Sequence, residues 1–418
     1  MREVLTRVGV ACGLAALIVA PQVFSPQPAV PDGAPPLRSD GGLHRAERLV
    51  PPPPAAPVPP KAPDDVRAVY LTAWSAATPS RVQEALALIR STELNGVVID
   101  VKDYTGRVAF ATRSPLIQAL GAERPLYDLE ALVRLFHAEG GYVAVRIAAF
   151  QDQHLVRVRP DLAVRDGRGR IWRDRKGLGW VDPASREVWD YLVAIGRAAA
   201  RAGVDELNFD YIRFPSDGDL RSLRYPVYEP AAEERRQVLR RFFGYLTSAL
   251  RPTGVVLSAD VFGLVTVRPD DLGVGQVLED VLPYFDYVAP MVYPSHYARG
   301  FLGLANPAAH PYQVVHYSLS AAQRRRQALA AALIPDPPQD PPGPALARIR
   351  PWLQGFDLGA PYPPAVIRRQ MDAASDAGLT WGWYLWNPSN RYLQATFLPE
   401  PTAAGRPRAA RPTPAPDP

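Results

Sequence analysis

The sequence of 418 residues predicts an α/β protein of the (β/α)8 TIM-barrel class. Eight short apolar runs have the composition of β-strands, and helix-like segments separate most of them. Strands that alternate with helices of this size imply parallel β-α-β units, and eight of them favour a closed barrel over an open doubly wound sheet. The first strand is followed by no G-x-G-x-x-G or Walker-type loop, which argues against a nucleotide-binding sheet.

The predicted strands are rich in β-branched and aromatic residues, as strands generally are. In chain order they cover 68–74, 96–101, 142–149, 206–212, 255–261, 287–293, 350–356 and 380–386. The helical patterns between them cover 79–91, 126–139, 185–201, 231–250, 318–333 and 364–377.

The first 20 residues resemble an export signal. Arg2 and Arg7 precede an apolar run over 8–20, which is short for a membrane span. Pro21 follows directly and disfavours cleavage there, so a removed signal peptide and an uncleaved membrane anchor both remain open. Either alternative predicts an exported, extracytoplasmic protein that is secreted or anchored and meets the membrane only through this segment.

Proline-rich segments flank the predicted barrel domain, which we place at 66–398. Residues 21–65 include PPPPAAPVPPKAP, a composition that favours extended polyproline conformations and cannot build a core. Residues 399–418 have the same character. We therefore expect a disordered linker before the barrel and a disordered tail after it.

Composition excludes several classes of chemistry. Cys12 is the only cysteine, so the exported part has neither an internal disulfide nor a thiol nucleophile. The six histidines form no H-x-H or H-E-x-x-H pair, and no G-x-S-x-G elbow is present. We predict no metal and no cofactor. The net charge of +5 has no accompanying nucleic-acid recognition motif, so no nucleic-acid partner is predicted either.

The predicted catalytic residues are two aspartates at the carboxyl ends of neighbouring strands, where barrel enzymes place their active sites. Asp210 lies in LNFDYIRFP and Asp260 in LSADVFG. Adjacent strands lie about 4.8 Å apart, which brings such acids within glycosidase range, and paired acids titrate apart. Asp210 is predicted as nucleophile or base and Asp260 as proton donor. The structural alternatives are that Asp210 caps a loop or pairs with Arg213, and that Asp260 hydrogen-bonds to the turn after it.

Polar and aromatic residues near the other strand ends are predicted to bind substrate. Because side chains alternate along a strand, Asn208 should share the face of Asp210, with Tyr211 packing outward against helices. Flat aromatic faces suit sugar rings, although aromatic residues more often belong to a core. Asp357 is a second candidate for the acid. The predicted substrate-binding residues are Trp74, Asp100, Lys102, Asp103, Arg146, Asn208, Arg213, Tyr293, His296, Asp357, Trp386 and Asn387.

Four strand motifs, GVVIDVKD, LNFDYIRFP, YVAPMVYPSHY and WGWYLWNP, resemble those of a bacterial family of glycoside hydrolases, long catalogued as a domain of unknown function and related to α-amylase-like barrels. The resemblance covers about 66–398. It implies a TIM barrel, a carbohydrate substrate and Asp210 in the nucleophile position. α-Amylase-like enzymes usually carry an arginine two residues before the nucleophile and a glutamate as the acid, whereas this chain has Asn208 and Asp260. Asp357 agrees loosely with their third acid.

The sequence therefore predicts a glycoside hydrolase that acts on an extracellular or cell-envelope polysaccharide or oligosaccharide by carboxylate acid/base catalysis. The alternatives are a non-catalytic carbohydrate-binding barrel and a transglycosylase that uses the same carboxylates. The distance between the two acids separates hydrolase from binding barrel: catalytic pairs lie roughly 5 to 5.5 Å apart in retaining enzymes and roughly 6.5 to 9.5 Å apart in inverting ones.

Overall fold

A computed structural model of the chain describes residues 65–333 and 346–399. The predicted signal or anchor at 1–20, nearly all of the predicted linker and the predicted tail beyond Pro399 lie outside the described residues. Among the residues that are described, no helix is long and apolar enough to cross a membrane.

The strands form one closed parallel barrel, which confirms the predicted fold. Around the barrel their order is β5-β4-β3-β2-β1-β9-β8-β6, and pairing of β5 with β6 closes the ring. The short β7 also pairs with β6, so β7 and β8 together occupy one strand position of the barrel. The strands are β1 Val66–Leu71, β2 Gly96–Lys102, β3 Tyr142–Ala148, β4 Glu206–Asp210, β5 Val256–Phe262, β6 Tyr287–Met291, β7 Arg348–Ile349, β8 Trp352–Gln354 and β9 Gly382–Trp386.

Helices cover the outside of the barrel and shield one large apolar core between the two layers. Several begin as the sequence dictates: Ser185 caps one helix through its side chain, and Glu234 forms a capping box with Gln237. The helices are α1 Ala73–Ala76, α2 Pro79–Ser91, α3 Pro115–Ala119, α4 Leu129–Ala138, α5 Leu155–Val158, α6 Arg186–Arg201, α7 Arg235–Leu250, α8 Leu278–Val281, α9 Pro311–Ala332 and α10 Pro364–Asp376.

The structure differs from the predicted elements at specific residues. The predicted strand 350–356 starts earlier and is split into β7 and β8 around Pro351, which has no N–H for the ladder. β4 ends at Asp210 because Tyr211 adopts a left-handed conformation with φ of 53°. β1 ends at Leu71 because Thr72 caps α1, so Trp74 lies on a helix. The helix predicted to start at 318 begins earlier, at Pro311, a residue well suited to a first turn.

Polar side chains line the barrel interior beneath its mouth, the opening at the carboxyl ends of the strands. On β4 the inward side chains are Glu206, Asn208 and Asp210, from the floor to the mouth, as strand alternation requires. Glu206 is fully buried and pairs with Arg350 at 2.7 Å, while the hydroxyl of Tyr384 donates to its other oxygen at 2.5 Å. The mouth therefore rests on a floor whose buried charges are neutralised by each other.

Candidate active site

The registers of β3, β4 and β5 set the level of the polar side chains at the mouth. Asn208 on β4 lies opposite Arg146 on β3 and opposite Ser258 on β5. Two residues further along β4 and β5, Asp210 and Asp260 therefore face the barrel axis at one level. The prediction that these aspartates occupy neighbouring strand ends agrees with this arrangement.

Asp210 is held by a guanidinium. Its Oδ2 accepts hydrogen bonds from Nη2 of Arg146 at 2.5 Å and from Nε at 3.1 Å. Its Oδ1 accepts the backbone N–H of Tyr211, also at 2.5 Å. The structural alternative in which Asp210 pairs with Arg213 is not what is observed, because Arg146 is its ion-pair partner. These bonds fix the carboxylate at the mouth and suit its ionised form.

Asp100 holds the other end of the same guanidinium. Its Oδ1 accepts from Nη1 of Arg146 at 2.7 Å, and its Oδ2 accepts from the hydroxyl of Tyr70 at 2.5 Å. Burial raises the pKa of Asp100 to about 6, although the charge of Arg146 and the hydrogen bonds oppose the rise. Arg146 therefore joins two carboxylates from different strands into one rigid unit.

Asp260 is held by neutral donors. Its Oδ1 accepts from the side-chain amide of Asn208 and from the indole N–H of Trp352, each at 2.8 Å. Its Oδ2 is buried and has no hydrogen-bond partner within the described residues. Burial, reinforced by the charge of Asp210, raises the pKa of Asp260 well above its usual value. Asp260 therefore holds a proton in the pH range where an ordinary aspartate has lost it.

The two candidate catalytic acids are close together. Nε of Arg146 lies 3.1 Å from Oδ2 of Asp210 and 3.9 Å from Oδ2 of Asp260. The two oxygens are thus separated by no more than the sum of these distances, about 7 Å, which is below the upper limit of roughly 9.5 Å for glycosidase pairs. In the described ranges, no three His, Cys, Asp or Glu side chains are arranged to hold a metal ion.

One side of the mouth is aromatic. The rings of Trp386 and Tyr293 stack with centroids 5.6 Å apart, and Phe356 meets Trp386 edge-on at 4.9 Å. The ring of His296 lies 5.3 Å from Tyr293. Burial, helped by the charge of Lys176, lowers the pKa of His296 to about 4, so the imidazole is neutral near pH 7. Trp386 and His296 are the partly exposed rings of this wall, whereas Tyr293 and Phe356 are buried behind them in the packing.

Two predicted site residues at the end of β2 lie outside this cluster. A register shift between Asp100 and Lys102 turns the lysine away from the mouth. Lys102 is fully buried, forms an ion pair with Asp152 at 2.9 Å and donates to the carbonyl of Ala148. Its role is therefore structural. Asp103 accepts hydrogen bonds from the backbone N–H and the hydroxyl of Thr105 and shapes a turn. Burial is the main cause of the raised pKa of Asp100, and the charge of Asp103 raises that pKa further.

Other predicted residues also have structural partners. Arg213 donates to Ser216 and lies 4.8 Å from the ring centre of Trp180. Asn387 uses its amide to hold its own loop, through bonds to the carbonyls of Gly355 and Arg391 and from the backbone of Ser389.

Asp357 does not occupy the position of a third acid. It is exposed, and its Oδ1 accepts the N–H of Tyr362 at 2.6 Å. The third carboxylate of the mouth is Asp100.

Trp74 and Tyr211 lie where the turns after β1 and β4 place them. Trp74 is 50% exposed on α1, with the guanidinium of Arg124 at 5.1 Å from its ring. Strand alternation predicts that Tyr211 packs outward against helices. Its ring instead meets Trp180 at 6.0 Å and lies 5.9 Å from the guanidinium of Arg146, because its left-handed backbone ends the strand.

Three aromatic residues outside the predicted set, Trp352, Tyr70 and Phe356, each contact a residue of the site. Alternation along β1 places Tyr70 on the inward face with Ala68, and this signal was readable. Alternation does not show which face Trp352 takes, because the strand is interrupted at Pro351, directly before it.

A cavity of about 330 Å³ adjoins the aromatic wall. Most of its lining belongs to the loops that follow β8 and β9, and Leu385 of β9 with Pro364 and Ile367 of α10 completes it. Phe356 lines the cavity and also packs on Trp386, so the cavity and the aromatic wall share this residue. The remaining lining includes the polar side chains of Asp357 and Arg391 and the 64% exposed Leu393.

Residues 68–392 match the sequence profile of a family described as "Putative glycosyl hydrolase domain". The match confirms the resemblance predicted from the four strand motifs. None of the curated proteins compared with the chain matches it.

Several solved structures are similar to this chain. A hypothetical protein from Ruminiclostridium thermocellum is 32% identical over 49% of this chain and 98% of its own, with a TM-score of 0.43. The glycoside hydrolase domain of PgaB (BpsB) from Bordetella bronchiseptica is 15% identical over 80% of this chain and 99% of its own, with a TM-score of 0.55. The α-L-fucosidase isoenzyme 2 from Paenibacillus thiaminolyticus is 14% identical over 79% of this chain and 47% of its own, with a TM-score of 0.50. The likeness to the last two is one of fold.

Proposed function

Because the chain belongs to the family of putative glycosyl hydrolase domains, we propose that it cleaves glycosidic bonds in a polysaccharide with Asp210 and Asp260 as its catalytic residues. Asp260 donates its proton to the oxygen of the leaving sugar. Asp210 attacks the anomeric carbon, or takes the proton of a water that does so. The breaking bond leaves its electron pair on the oxygen that has gained the proton.

The observation that carries this proposal is the contrast between the two acids. Asp210 forms an ion pair with Arg146, whereas Asp260 is 1% exposed, is bonded to neutral donors and has its pKa raised well above the usual value by burial and by the charge of Asp210. One ionised and one protonated carboxyl within about 7 Å are what hydrolysis by an acid and a nucleophile or base requires.

The same contrast favours a hydrolase over a carbohydrate-binding barrel. A binding site gains little from a buried protonated carboxyl, whose oxygen Oδ2 has no partner in the described part of the chain. A transglycosylase would use the same two carboxylates and differs in the acceptor that attacks in the second step. Transfer products in place of free reducing ends would identify it.

The cavity beyond Phe356 supports a substrate longer than one sugar. Its volume of about 330 Å³ is near the lower end of the range of roughly 300 to 1,000 Å³ for ligand pockets. Asp357 and Arg391 supply acceptors and donors, and Leu393 supplies apolar surface, a mixture that fits a neutral ring carrying hydroxyl groups. We therefore place a second sugar of the chain there.

The site of action belongs to the proposal as well. The charged and apolar pattern of residues 1–20 supports export, so the polysaccharide would be extracellular or part of the cell envelope.

Replacing Asp210 with asparagine tests the proposal. We expect wild-type protein to release reducing ends from a polysaccharide in a panel of neutral, aminated and acidic glycans. Asp210→Asn should lower the rate by about 10³-fold or more, as loss of a nucleophile does, and its circular dichroism spectrum should match the wild type. The matched control is Asp372→Asn, which changes a 53% exposed carboxylate on α10 and should keep the wild-type rate.

Wild-type activity in Asp210→Asn would overturn the assignment of the nucleophile or base. A wild-type protein that retains glycans in affinity electrophoresis but cleaves none of the panel would support the binding barrel.

A further inference from the structure

We infer that Trp352, together with Asn208, is a positioning residue that determines which oxygen of Asp260 carries the transferable proton. The inference rests on the proposed function, in which Asp260 is the acid. Neither residue needs to touch the substrate, because each acts through the Asp260 carboxyl.

The argument starts from the donors around Oδ1 of Asp260. An indole N–H donates and cannot accept, so the bond of 2.8 Å from Trp352 requires an acceptor lone pair on Oδ1. The amide N–H of Asn208, also at 2.8 Å, requires a second one. A hydroxyl at Oδ1 would have to direct its hydrogen toward one of these two donor hydrogens. Oδ1 is therefore the carbonyl oxygen of the protonated acid, and the proton is on Oδ2.

The Trp352 bond carries more weight than the Asn208 bond. An asparagine amide can be reversed by rotation, and Ser258, at 2.9 Å from the Asn208 amide, could donate to an oxygen in that position. An indole cannot be reversed. Trp352 is also 2% exposed and held between the rings of Tyr70 at 6.2 Å and Tyr384 at 4.9 Å, so its N–H has a fixed direction.

Oδ2 is left facing the other charged and titratable groups of the mouth. Nε of Arg146 lies 3.9 Å from Oδ2. The charge of Asp210 reinforces the effect of burial, which raises the pKa of Asp260. Burial also raises the pKa of Tyr293, and the charge of Asp260 adds to that rise. The proton is thus on the side of the carboxyl that faces Arg146 and Asp210, and this is the side from which a glycosidic oxygen held near both acids would take it. A carboxyl free to turn over would spend part of its time with the proton against Trp352, away from this side.

Trp352→Phe removes the N–H and keeps an aromatic ring in the same packing. In full-length protein, the carbonyl stretch of protonated Asp260 is identified by infrared difference against Asp260→Asn and followed as a function of pH. We expect the stretch to move to higher frequency and its titration midpoint to higher pH, since a bond that stabilises the carboxylate is lost. On a cleaved glycan, kcat should fall about tenfold at nearly constant KM, and the alkaline limb of the pH profile should shift in the same direction as the midpoint.

Trp383→Phe is the matched control. Trp383 is a buried tryptophan on the neighbouring strand β9 that stacks on Phe397 on the helix-facing side of the barrel, so its replacement should leave the Asp260 stretch and the pH profile unchanged. If Trp352→Phe does not fold, 3-benzothienylalanine at position 352 keeps the tryptophan shape without the N–H and gives the same test.

An Asp260 stretch and midpoint that stay at their wild-type values in Trp352→Phe would overturn the inference. The infrared test needs no substrate, so it separates the two proposals. A shifted titration in a protein that cleaves no glycan would leave the positioning role standing and count against the hydrolase.

Discussion

Arg146 joins two carboxylates of the candidate site, those of Asp210 and Asp100. α-Amylase-like enzymes usually carry an arginine two residues before the nucleophile, and this chain has Asn208 in that place. The structure supplies the missing guanidinium from β3, where Arg146 bonds Asp210 and Asp100 together. Asn208 is thereby free to bond Asp260. The exchange explains how the chain departs from the α-amylase pattern and still pairs its candidate nucleophile with an arginine.

Arg146→Lys should therefore damage catalysis although the charge is kept. A single ammonium group cannot reach Asp100 and Asp210 with the geometry of the guanidinium fork. We expect kcat to fall by about 10²-fold, the scale of a misplacement of about 1 Å, while KM changes only a few-fold. Steady-state kinetics on a cleaved glycan measures both constants.

Arg67→Lys is the matched control, because Arg67 also joins two carboxylates, Asp65 at 2.6 Å and Glu93 at 2.7 Å, at the opposite end of the barrel. It should lower thermal stability and leave kcat unchanged. Equal losses of kcat in the two variants would argue against a special role for Arg146.

The loops after β8 and β9 supply most of the lining of the cavity, which shares Phe356 with the aromatic wall. Arg391 lies in the second of these loops and lines the cavity with an exposed guanidinium. Removal of its side chain should affect only substrates long enough to reach it.

We expect Arg391→Ala to lower kcat/KM about tenfold, or 1.4 kcal/mol, on long oligosaccharides and to leave the shortest cleavable oligomer unaffected. A ladder of oligomers from a cleaved polysaccharide measures this dependence on length. Arg90→Ala, which removes an exposed arginine at the end of α2, is the control and should change neither value. A loss of equal size at every length would remove the second sugar from the proposal.

The sequence was sufficient to predict elements whose pattern is regular. Period-two alternation correctly placed Asn208 beside Asp210, and the parallel β-α-β pattern correctly predicted the barrel. The prediction for Lys102 failed because a register shift in β2 breaks the alternation that places side chains. Alternation does not place Trp352, because Pro351 interrupts the strand before it. It does not predict the partner of Asp210 either, because Arg146 comes from another strand. Tertiary contacts of this kind leave no periodic signal.

Two acids of the site, Asp100 and Asp260, lie where burial in the fold opposes their ionisation. The pKa of Asp100 rises from 3.8 to about 6 because burial outweighs the opposing effects of Arg146 and the hydrogen bonds. A rise of this size corresponds to about 3 kcal/mol of stability that is present below about pH 4 and is lost as the pH rises through about 6. The pKa of Asp260 is raised as well, so its ionisation adds to the loss in the same direction.

The Asp260→Asn variant should therefore become more stable, relative to wild type, as the pH rises. Asparagine has the shape of the protonated acid, and its carbonyl can accept the bonds from Asn208 and Trp352 in place of Oδ1. Below about pH 4, where free aspartates are protonated, the variant should differ little from wild type. At higher pH the wild type bears the cost of an ionised, buried carboxyl or of the proton that it must hold, and the variant bears neither.

Thermal unfolding midpoints measured from pH 4 to pH 9 give the difference, and Asp372→Asn supplies the baseline for a carboxylate on the surface. A difference between Asp260→Asn and wild type that stays constant over this range would show that Asp260 ionises as readily in the folded chain as in the unfolded one, and the assignment of Asp260 as the acid would lose its physical basis.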